Sequence, residues 1–130
     1  MLDKVEYWLT TADDDVLTAK ALLSSERLLA MGFFCHLIAE KSLKAIIASI
    51  TDETPPKIHD LNKLAKKAGV FNDLSEEQLE LLERLIPLQV EARYPAHKQA
   101  IAKTLNVKIC KQILKETEEF LCWIKKRLEK

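Results

Sequence analysis

Glycine and proline are scarce in this chain, with 2 Gly and 4 Pro in 130 residues. Tight hairpins need residues that tolerate positive φ, so this shortage excludes an all-β protein, and a loop-rich or low-complexity one as well. No apolar run reaches the roughly 18 residues that suggest a membrane span. Residues 1–7 carry Asp3 and Glu6 and no apolar signal core, which argues against secretion. An excess of one charge is also lacking. Twenty Lys and Arg offset twenty Asp and Glu, whereas general coating of DNA or RNA relies on a basic surface that neutralises many phosphates. A small local nucleotide or RNA site stays compatible with this balance. The three cysteines, Cys35, Cys110 and Cys122, are odd in number and set among apolar neighbours. They read as reduced core thiols of a cytoplasmic protein.

What the chain does have is Leu, Ala, Glu and Lys in abundance, with 48% hydrophobic and 31% charged residues. The expectation is one all-α domain over residues 1–130, long enough to bury a core without disulfides or metals. Val5, Leu9, Ala12, Val16, Ala19 and Leu23 step by four and three, which predicts a first helix from about Asp3 to Leu23. Asp13, Asp14 and Asp15 lie on it as neighbours, about 100° apart round the axis, so they cannot close round one ion. A second helix, about Met31 to Ile50, is apolar on almost its whole circumference. His36, Glu40 and Lys44 form its one polar stripe, with Lys41 beside it. That stripe reads as a narrow exposed seam, or as a site or dimer contact on a buried helix.

Pro55 and Pro56 mark a loop from Thr51 to Ile58, and a third helix follows from about His59 to Ala68, with Gly69 at its C′ position. Asp60 sits where the positive end of the helix dipole favours it, and His59 beside it is placed to cap, to pack or to help hold an anion. Ser75 with Gln78 is a capping-box signature for the fourth helix, which Pro87 should kink or divide. Pro95 is expected to end that helix near Arg93. The last helix is expected from about Ala100 to Arg127, with Ile109, Ile113, Phe120, Ile124 and Leu128 as its stripe. Trp8 and Trp123 are expected in the core or between helices. Cys35 and His36 have no partner at metal-ligand spacing, and nothing in the sequence asks for a metal or cofactor.

Four stretches then occur in a telling order: Tyr7-Trp8-Leu9 followed by Ala12 and Asp15; Phe33-Phe34 through Ala39-Glu40-Lys41-Ser42-Leu43-Lys44-Ala45; Ile58-His59-Asp60-Leu61; and Ala92-Arg93-Tyr94-Pro95. Together they resemble the HEPN domain, the nucleotide-binding domain of higher eukaryotes and prokaryotes, over nearly the whole chain. The resemblance implies an up-and-down antiparallel bundle of four or five helices, paired as a homodimer. It also implies a minimal nucleotidyltransferase as partner, in a two-component system that is often of toxin–antitoxin type. Many HEPN domains are metal-independent RNases whose active site is an Arg followed four to six residues later by a His, duplicated across the dimer cleft.

Chemistry alone also selects Arg93 and His97. Metal-free RNA cleavage needs a base for the 2′-hydroxyl proton, which His supplies, and a fixed cation for the phosphate, which the Arg fork supplies. Only three residues separate the two, however, and Pro95 stands between them. The Arg-Tyr-Pro form is similar to the branch thought to bind nucleotides or serve a nucleotidyltransferase. In that reading Arg93 meets a phosphate and Tyr94 offers a face to a base. His59, Lys41 and Lys44 complete the expected nucleotide-binding set. The expectation is thus a nucleotide-binding, non-catalytic partner protein. A metal-independent endoribonuclease toxin and a helical protein-interaction module are the alternatives.

Overall fold

The computed structural model describes residues 3–89 and 95–129. Among these there are six α-helices, two 3-10 turns and no strand. Helix α1 is Asp3–Ser24, α2 is Leu28–Ile50, α3 is Leu61–Lys67, α4 is Glu76–Leu85, α5 is Pro95–Ala102 and α6 is Val107–Glu129. No helix among the described residues is long and apolar enough to cross a membrane.

Helix α2 is the axis of the bundle. It buries 13 of its 23 residues, and α1, α3, α4, α5 and α6 all pack against it. Phe33, Phe34 and Leu37 are only partly covered, and Ile50 at its C-terminal end is 63% exposed. Helices α1 and α6 run antiparallel beside it, pinned by Lys125 on Asp13 at 2.7 Å and Lys20 on Glu118 at 3.4 Å. Ala12, Val16 and Ala19 of α1 meet Cys35, Ile38, Leu43 and Ile46 of α2 and Ile113, Phe120 and Ile124 of α6 in one continuous core. Trp8 and Trp123 are half-buried between helices, Trp123 stacking on Phe120 at 6.1 Å.

Local signals set most helix ends. Asp60 is the N-cap of α3, its Oδ1 accepting the backbone N–H of Asn62 at 3.0 Å and of Lys63 at 3.2 Å. The helix accordingly begins at Leu61, two residues later than the sequence suggests. Gly69, with φ 76°, closes it: its N–H donates to the Lys66 carbonyl and that of Val70 to the Ala65 carbonyl. Ser75 and Gln78 form the full capping box of α4. Glu26 closes α1 with the same pair of bonds as Gly69, in the left-handed region at φ 58°.

Helix α2 starts at Leu28, three residues before the expected Met31, and the C-terminal part of the chain departs further from the sequence reading. Pro95 opens a helix instead of ending one, as its fixed φ and missing N–H allow at the first helical position. The closing helix is also divided: α5 stops at Ala102, and Asn106 restarts the chain as α6 by accepting the Ile109 N–H at 2.8 Å. Ile109, expected in the core stripe, is 38% exposed.

Candidate functional site

Pro87 shapes the first wall of the site. It has no N–H, so α4 ends at Leu85 and the chain tightens into the 3-10 turn Ile86–Leu88. The Leu85 carbonyl accepts instead from His36 Nδ1, at 3.0 Å. Leu88 lies against Gly32 of α2, where an added Cβ would stand 3.0 Å from Leu88 Cδ1. The turn is thereby seated on the central helix.

Helix α5 faces this turn across a cleft of about 500 Å³. Pro87, Leu88, Ile101, Leu105, Ile109 and Ile113 give it apolar walls, and Glu83, Arg84, Thr104 and His97 supply its polar groups. His97 is exposed, in the first turn of α5, and no acidic residue occurs in that turn. The free backbone donors of a helix start favour an anion there. Arg93 and Tyr94, the other residues proposed for this site, lie outside the described residues. Arg93 precedes Pro95 by two positions in the sequence.

The polar stripe of α2 is buried, not an exposed seam. His36 is 0% exposed, Glu40 5% and Lys44 7%. Glu40 is the hub of this group. Its Oε2 accepts from Lys44 Nζ at 2.9 Å, and its Oε1 lies 3.1 Å from His59 Nδ1 and 3.3 Å from His36 Nε2. Burial pushes the Glu40 carboxyl up, but the His36, His59 and Lys44 contacts and the Lys44 charge outweigh it and hold the group at about 2. The Lys44 ammonium also lies 5.4 Å from the centre of the Trp8 ring. His59 has an exposed side chain and joins the loop before α3 to this buried group.

Lys41 is engaged elsewhere, 2.7 Å from Asp15 Oδ2. The three aspartates of α1 thus have separate surroundings: Asp15 is buried against Lys41, Asp13 pairs with Lys125, and Asp14 is exposed. The structure therefore brings His36, Glu40, Lys44 and His59 together, and places His97 in a different setting, the α4–α5 cleft. Sequence reasoning did not single out Arg84, Glu83 or Gly32. Arg84 and Glu83 look like ordinary solvated charges of α4, while the position of Gly32 inside a helical pattern was the available sign of a close approach. Of the thiols, Cys35 and Cys110 are buried as expected, but Cys122 is exposed.

The HEPN domain family model matches residues 5–128. No curated protein and no solved structure matches the chain. The match spans both the buried hub on α2 and the Arg93–His97 segment, in an all-α bundle of the expected kind. The chain belongs to the HEPN domain family.

Proposed function

We propose that this protein is a nucleotide- or RNA-binding HEPN protein, a non-catalytic homodimeric partner of a minimal nucleotidyltransferase in a toxin–antitoxin-like pair. The observation that carries the binding reading is the start of α5. Pro95 as its first residue puts His97 in an open first turn, beside an apolar cleft and four positions after Arg93 in the sequence. An Arg fork, an imidazole and free backbone donors at one helix start make a phosphate-binding set. Tyr94 supplies a face for a base. Lys41 and Lys44 are ion-paired and His59 bonds Glu40, so they support this set through the field and placement of α2 more than by direct contact.

The test is a melting-temperature series with ATP, other nucleotides and single-stranded RNA, for the wild type and Arg93→Ala. A ligand that binds only the folded state raises the midpoint. A shift in the wild type that Arg93→Ala removes supports the reading. No shift with any ligand, combined with capture of the nucleotidyltransferase by both proteins, would make this a plain interaction module.

The exposure of His97 favours a second reading, a metal-independent endoribonuclease using Arg93 and His97. Incubation with RNA in EDTA, beside an Arg93→Ala/His97→Ala variant, decides it. Cleavage by the wild type alone, with 2′,3′-cyclic phosphate ends, establishes the enzyme; intact RNA in both leaves the binding role.

A further inference from the structure

We infer that Gly32 and His36, one turn apart on α2, are positioning residues that seat the Ile86–Leu88 turn and thereby set the wall of the His97 cleft. The inference rests on the proposed use of that cleft for a nucleotide or RNA.

The first support is the fate of the Leu85 carbonyl. Had α4 continued, the Gln89 N–H would have bonded it; in the 3-10 turn that N–H donates to the Ile86 carbonyl instead, at 3.3 Å. A carbonyl only accepts, so His36 Nδ1, 3.0 Å away, must carry the hydrogen between them. This contact joins positions 49 apart in sequence and is fully buried, so it directs one placement of the turn.

The second support is steric and independent of the first. A Cβ at position 32 would stand 3.0 Å from Leu88 Cδ1, closer than carbon atoms ordinarily pack. Glycine inside a helix is otherwise unfavourable compared with alanine. Its presence in α2 is explained by the close approach of Leu88.

The third is the continuity of the stripe. Gly32, His36 and Glu40 follow at intervals of four, so they lie along one face. Glu40 sits 3.3 Å from the other nitrogen of His36 and is itself held by Lys44 and His59. The imidazole thus makes its hydrogen bond through Nδ1, with the Glu40 carboxylate packed beside the ring. Pro87 and Leu88 of the seated turn, with Glu83 and Arg84 just before it, line the cleft beside His97. A shift of the turn therefore moves Pro87 and Leu88 in the wall of the cleft.

Gly32→Ala is the decisive variant, because alanine is the better helix former and its Cβ meets only the end of the Leu88 side chain. The expected result is an unchanged or higher melting temperature, faster hydrogen exchange over residues 85–98, and ATP and RNA affinities lowered roughly tenfold by misplacement of the wall. Leu88→Val in the Gly32→Ala background returns the space and should restore both protection and affinity. His36→Phe, which keeps the ring and removes the donor, should reproduce the loss. Unchanged exchange in Gly32→Ala and His36→Phe overturns the seat. Faster exchange with unchanged affinity overturns the positioning role. If the wild type binds neither ATP nor RNA, the functional reading fails separately, and the exchange data with the Leu88→Val rescue still decide whether the seat exists.

Discussion

His59 Nδ1 lies 3.1 Å from Glu40 Oε1, so an exposed loop histidine bonds a carboxylate that is itself only 5% exposed. The contact fastens the loop before α3 to the central helix, and it places a third polar partner beside a carboxylate already flanked by His36 and Lys44. A buried charge cluster of this kind is tolerable only while every member is paired.

Glu40→Gln keeps the shape of the side chain and removes its charge, leaving the buried Lys44 ammonium without its counter-charge. The expected loss is about 3–5 kcal/mol of folding stability near neutral pH. The depressed Glu40 group adds stability that is fully present above its ordinary value of 4.5 and is lost as pH falls towards about 2. Urea titrations of both proteins across that range should therefore show the wild-type advantage shrinking as pH falls. A constant gap would disprove the charge-based account.

Glu26 is the one described non-glycine residue with positive φ, at 58°, and its exposed side chain makes the strain a local matter. Glu26→Gly should stabilise the protein by about 1 kcal/mol, since a left-handed conformation disfavours a Cβ. Thermal melts measure it, and a lower midpoint would contradict the assignment.

The thiols should differ sharply in reactivity. Burial pushes the Cys35 thiol up to about 12 and also raises that of Cys110, whereas Cys122 is exposed. Reactivity depends on thiolate and access. In the native protein an alkylating reagent should label Cys122 first, with Cys35 and Cys110 modified only after unfolding. Mass spectrometry of partly labelled protein reads this directly, and early label on Cys35 would contradict the burial described.

Local chemistry made much of this fold legible. The Ser75–Gln78 capping box, the Gly69 terminus and the break at Pro87 all act within a few residues, and each occurs where the sequence places it. Pro95 was harder because proline suits both the stop and the first turn of a helix, and only the backbone path decides between them. Asn106 carried a readable signal as a potential N-cap, but the apolar pattern running through Ile101, Leu105 and Ile109 masked the break before it. Burial of the His36–Glu40–Lys44 stripe was illegible for a deeper reason. A charged stripe has the same sequence whether it meets water or partners brought from afar, here the Leu85 carbonyl and His59. The candidate site divided in the same way: residue types singled out Arg93 and His97 as candidates, but the walls of the cleft beside His97 depend on how α4 and α5 meet.

The central claim is that the start of α5 binds a phosphate-bearing ligand. Fluorescence anisotropy with labelled single-stranded RNA, competed with ATP, tests it most directly when wild type, Arg93→Ala and His97→Ala are compared at matched stability. The account predicts saturable binding by the wild type and a loss of about 1.5–3 kcal/mol in Arg93→Ala, tenfold or more in affinity, from the missing charge-assisted bonds. Equal affinity in all three proteins would contradict it, as would no binding of either ligand by the wild type.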